Sequence, residues 1–84
     1  MVKVYGTDDC PMTRQTRLHL RKIGVEYEYI DISKDAQACQ WVKHRNDGKE
    51  KKPTVDIDGM ILTEPSNTEL DKALMPRNRT TFTG

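Results

Sequence analysis

Thr7-Asp8-Asp9-Cys10-Pro11-Met12-Thr13 decides how the chain reads. It follows a short apolar run, Val2, Val4, Tyr5 and Gly6, and opens a helical pattern. Proline is favoured in the first turn of a helix, where its missing N–H had no partner anyway. Pro11 therefore places Cys10 at a helix N-terminus. Free backbone N–H groups and the positive end of the helix dipole converge there. They stabilise a thiolate, which is the nucleophilic form of cysteine. A cysteine at a strand-to-helix turn reads as redox-active or nucleophilic.

Working outward, Val2 to Tyr5 reads as a strand and Pro11 to Ile23 as a helix. Met12, Thr16, Leu20 and Ile23 share one helical face, with His19 beside them. Gly24 stands where a helix C-cap glycine belongs. Arg14, Arg17 and Arg21 form a stripe on Cys10's side of the helix; a solvated face and a binding face are both open for it. Glu26 to Ile32, rich in aromatic and β-branched residues, reads as a second strand. Strand, helix and strand at this length make a βαβ unit with parallel strands and a right-handed crossover.

From Asp35 the pattern is helical again, with Ala38, Cys39, Trp41 and Val42 on the apolar side, ending near Asn46 to Gly48. Cys39 and Trp41 read as packing residues. Pro53 to Ile57 is a strand led by proline, Asp58-Gly59 a hairpin turn, and Met60 to Thr63 the returning strand. Ser66 and Glu69 make a capping box. Leu70, Ala73 and Leu74 follow as a buried stripe, and Pro76 is expected to stop the helix. The order β-α-β-α-β-β-α predicts an α/β domain, a mixed four-stranded sheet with three helices, over residues 1–75. Residues 76–84 read as a flexible C-terminal tail.

Composition narrows function. The chain has 84 residues and a net charge of +1, so no global field points to nucleic acid or to a membrane surface. Its apolar runs are far too short to span a bilayer. Met1 leads into a strand-like run without a secretory pattern, and the expected location is cytoplasmic. Two cysteines are too few for a disulfide scaffold or a closed zinc site, and no metal is expected.

The turn Cys10-Pro11-Met12-Thr13 and the order of elements resemble the thioredoxin fold in its short glutaredoxin form. Gly24 to Tyr27 leading into Ile30-Asp31-Ile32, Pro53-Thr54-Val55 before Asp58-Gly59, and Leu62 to Ser66 fit the same family. The last of these resembles the bacterial group that includes mycoredoxins. The resemblance spans Met1 to about Met75. It implies a thiol–disulfide oxidoreductase with Cys10 as nucleophile, flanked by Pro11 and Thr13. Thr13 replaces the second cysteine of the family's Cys-x-x-Cys motif, which implies a monothiol route.

The Thr13 hydroxyl either donates to the thiolate or is simply a small half-buried residue of the first turn. Asp8 and Asp9 bring negative charge that opposes the thiolate, and Asp9 is a candidate helix cap. The bond before Pro53 is trans by its general frequency and cis by the resemblance. The resemblance further implies substrate pairing beside Lys52, Pro53 and Thr54, and a carboxylate at Ser66 and Asn67 on the last helix. Lys49, Lys51 and Lys52 either attract that carboxylate or form a solvated loop. The family's Gly-Gly turn before that helix is here Thr63-Glu64.

The implied reductant is glutathione or another low-molecular-weight thiol. The implied partners are disulfide-bearing proteins, and a monomer is expected. Two alternatives stand: an iron–sulfur cluster carrier using Cys10 and external thiols, and a non-catalytic binding module of the same fold.

Overall fold

The computed structural model describes residues 1–82, with side chains through Met75. The elements run β1 (Val2–Gly6), α1 (Pro11–Lys22), β2 (Tyr27–Asp31), α2 (Ala36–Arg45), β3 (Thr54–Ile57), β4 (Met60–Thr63) and α3 (Asn67–Phe82). They follow the predicted order. The four strands form one sheet in the order β2-β1-β3-β4. β1 pairs parallel with β2, with Val4 opposite Tyr29. It pairs antiparallel with β3, with Tyr5 opposite Thr54. The βαβ unit and the hairpin therefore meet along β1.

Side chains of β1 alternate between two cores, as a strand's period of two requires. Val2 and Val4 join Leu20, Val55, Ile57, Leu70 and Leu74 on the face covered by α1 and α3. Tyr5 joins Ile32, Ala38 and Val42 on the face covered by α2. Tyr5 also stacks on Trp41, with ring centroids 4.4 Å apart. Each fully buried Val or Leu contributes about 1.5–3 kcal/mol.

The turns follow the chain's local chemistry. Gly24 has φ +76°, as a residue closing a helix needs. At the hairpin, Asp58 and Gly59 have φ +50° and +99°, the double left-handed conformation of a two-residue turn. Asp35 caps α2 by accepting from the Ala38 amide at 3.0 Å.

Two expectations change. The buried stripe of α1 is Thr13, Thr16 and Leu20, while Met12 is half-buried and Ile23 is 42% exposed. At its first turn the helix lies so close on Gly6 that the small Thr13 takes the inner face. The last helix also does not stop at Pro76 but continues to Phe82. Proline removes one N–H from the ladder, and the freed carbonyl belongs to Lys72, an exposed position open to water. The expected tail at 76–84 thus begins within α3, and Thr83 and Gly84 lie outside the described residues.

Candidate functional site

Cys10 is the N-cap residue of α1, with Pro11 next to it at the start of the helix. The Cys10 amide is tied back to Thr7 O at 3.2 Å, and its carbonyl accepts from the Arg14 amide at 3.1 Å. No side chain caps the helix. Asp9, a candidate cap, leaves the helix start to the sulfur. Its own carboxyl is held below its ordinary value, chiefly by the Thr7 hydroxyl.

The sulfur faces the loop before β3. Cys10 Sγ lies 3.8 Å from Lys52 O, and the Lys52–Pro53 bond is cis. Burial raises the thiol's pKa. The Thr13 hydroxyl, the amides of Thr13 and Met12 and the charge of Lys52 outweigh it, and the net pKa is lowered. Thr13 Oγ1 is buried without a partner while the neutral thiol faces Lys52 O. A hydroxyl can rotate to suit its partner, so on ionisation of Cys10 it is free to turn to the sulfur. Thr13 thus fits both roles left open: a small residue at 0% exposure and a donor toward the anion.

The loop before α1 is held at Asp8, by both its side chain and its carbonyl. Tyr29 donates its hydroxyl to Asp8 Oδ1 at 2.7 Å, and Arg14 Nη1 donates to Asp8 O at 2.9 Å. On the other side, Glu64 N donates to Pro53 O at 2.8 Å, joining the loop before α3 to the proline.

Three comparisons bear on this arrangement. The glutaredoxin family model matches residues 2–62. This chain belongs to the glutaredoxin family. It is 41% identical to mycoredoxin 1 of Corynebacterium glutamicum over 70 residues, covering 82% of this chain and 86% of that one. It is 23% identical over 74 residues to an uncharacterised glutaredoxin-like 8.6 kDa protein in the rubredoxin operon of Clostridium pasteurianum, covering 88% and 97% of the two chains. The crystal structure of the thioredoxin-like protein BC3987 superposes with a TM-score of 0.76 at 30% identity, over 86% of this chain and 97% of that one. The glutaredoxin of Archaeoglobus fulgidus shares the fold at a TM-score of 0.69 and 23% identity, over 84% and 82%.

In this glutaredoxin-family chain the residues expected at the site divide into two groups. Cys10 and Pro11 begin α1, Thr13 and Lys52 act on the sulfur, and Pro53 follows Lys52 across the cis bond. Thr54 is fully buried, and its hydroxyl donates to Lys51 O at 2.7 Å and accepts from Asn46 Nδ2 at 3.3 Å. Its side chain holds the loop before β3. At α3, Ser66 Oγ accepts from the Glu69 amide at 3.1 Å, and Glu69 Oε1 accepts from the Ser66 amide at 2.8 Å. Ser66 and Glu69 thus cap each other at the helix start, as the sequence predicts. Asn67, half-buried, begins the helix beside Ser66.

Cys39 packs with the α2 cluster, across the sheet from the helix that Cys10 begins, and both cysteines are free. Among the described residues no group of three or more His, Cys, Asp or Glu side chains is placed to hold a metal ion. No helix among them is long and apolar enough to cross a membrane.

Sequence reasoning missed Asn46, which accepts from Thr63 Oγ1 at 2.7 Å and donates to Val42 O at 2.7 Å. It ties the end of α2 to both strands of the hairpin. A lone asparagine at a helix end carries no signal of such distant partners. Gly6, which ends the apolar run, is the floor on which Thr13 rests, a role that its sequence position does not signal.

Proposed function

We propose that the protein reduces mixed disulfides by a monothiol mechanism with Cys10 as nucleophile. The observation that carries this reading is the pairing of a pKa-lowered Cys10 with Thr13, which cannot form a disulfide, three residues on. The Cys10 thiolate attacks the low-molecular-weight half of a mixed disulfide. A new S–S bond forms at Cys10, the old S–S bond breaks, and the target protein leaves as a thiolate that takes a proton. A second low-molecular-weight thiol, as thiolate, then attacks the sulfur bonded to Cys10. Its two-thiol disulfide departs and the Cys10 thiolate returns. The sum is a two-electron reduction of the target at the cost of one new small disulfide.

Glutathione or a related thiol serves as reductant. The Lys52 backbone beside the sulfur supports docking of an extended peptide-like substrate there. Cys39 takes no part, because it packs on the other face of the sheet.

The test is reduction of a peptide carrying a glutathione mixed disulfide, run beside mixed disulfides of other small thiols. Wild type and Cys39→Ser are expected to turn over, and Cys10→Ser to be inactive. Activity surviving in Cys10→Ser, or lost in Cys39→Ser, overturns the assignment.

A further inference from the structure

Asp8 stands two residues before Cys10, where a free carboxylate would oppose the thiolate. It is not free to swing. Tyr29 on β2 donates to Asp8 Oδ1 at 2.7 Å. The Arg17 guanidinium lies 3.7 Å from the centre of the Tyr29 ring, and its Nη1 is 3.9 Å from the same carboxylate oxygen. Arg17 Nε donates to Tyr27 OH at 3.2 Å, and Arg14 holds the Asp8 carbonyl at 2.9 Å. Side chains from two elements, β2 and α1, converge on one acid whose side chain is 69% exposed. At that exposure an ion pair adds little stability. What the network fixes is direction.

The sheet order supplies the direction. β1 lies between β2 and β3. The Asp8 carboxylate is bound on the β2 side, by Tyr29. The sulfur faces the β3 side, at Lys52 O. We propose that Tyr29 is a positioning residue for Cys10: its hydroxyl holds the Asp8 carboxylate across β1 from the sulfur, where Arg17 offsets its charge. This rests on the reading of Cys10 as a reactive thiolate. Of the other charges, Lys52 acts on the sulfur from the loop before β3, Asp9 precedes it in its own loop, and Arg14 on α1 is tied to Asp8. Lys52 favours the anion, and Asp8 is the acid that the network removes from the balance.

The experiment is pH-dependent alkylation of Cys10 by iodoacetamide, followed on the Cys10 peptide by mass spectrometry, so that Cys39 does not interfere. It requires no disulfide substrate. Its outcome is thus separate from whether the protein reduces mixed disulfides. Tyr29→Phe keeps the ring and removes the hydroxyl. It is expected to raise the thiol pKa by about half a unit, or roughly threefold less thiolate at neutral pH, the scale of one charge brought several ångströms closer at the surface. Asp8→Asn alone is expected to move the pKa little, and Asp8→Asn/Tyr29→Phe to restore the wild-type value. An unchanged pKa in Tyr29→Phe overturns the proposal. So does a raised pKa that Asp8→Asn fails to restore, which would mark Tyr29 as merely structural.

Discussion

Gly6 at the end of β1 and Thr13 in the first turn of α1 touch so closely that a Cβ on Gly6 would lie 2.4 Å from Thr13 Oγ1 and 2.6 Å from its Cγ2. This packing brings the start of the helix down onto the strand and sets the height of Cys10 above the sheet. Gly6→Ala is expected to destabilise the fold by about 1–3 kcal/mol, the usual cost of overpacking. Urea unfolding measures it. The same variant is expected to raise the Cys10 pKa, because Thr13 is pushed from its place. Unchanged stability would show that the contact is relieved by a small side-chain shift.

Thr13→Val keeps the shape and removes the hydroxyl that favours the anion. The Cys10 pKa is expected to rise by roughly one unit, in line with a hydrogen bond to a charged group. Thr13→Ser is expected to stay near wild type. The linkage has a definite sign. Cys10 titrates lower in the folded state than in the unfolded chain, so its contribution to stability is complete above the unfolded pKa. It is lost as pH falls through the folded pKa. Thr13→Val should therefore flatten the rise of stability with pH in that window. A profile identical to wild type would remove Thr13 from the site.

Glu64 sits at φ +47°, a left-handed conformation that costs an L-residue about 1–2 kcal/mol. Glycine adopts it freely but loses more chain entropy on folding. Glu64→Gly is expected to stabilise the protein by up to about 1 kcal/mol, a few degrees in Tm. Differential scanning calorimetry decides the sign, and a lower Tm would show that the Glu64 side chain makes an offsetting contribution.

Glu69 Oε1 accepts from the Ser66 amide at the start of α3, a place suited to any anion. Glu69→Ala is expected to cost about 0.5–1 kcal/mol through loss of the reciprocal cap. It is also expected to lower KM for a glutathione mixed disulfide several-fold, by freeing the helix end for a substrate carboxylate. If KM is unchanged while stability falls, substrate carboxylates bind elsewhere.

Local chemistry in the sequence settled most of the fold. Alternation in Val2–Tyr5, the Asp58-Gly59 turn, the Asp35 cap and the Ser66/Glu69 box each act within a few residues, so each is legible without a partner. Cys10 at a helix start was legible for the same reason, since Pro11 marks the turn. What tertiary structure alone decided were relations across the sheet. The choice of Thr13 over Met12 for the inner face depends on Gly6 beneath it. The direction of the Asp8 carboxylate depends on Tyr29, 21 residues away and on another strand. Side-chain packing and hydrogen bonds between distant residues carry no period along the chain. They exist only once β1 has been placed between its two neighbours.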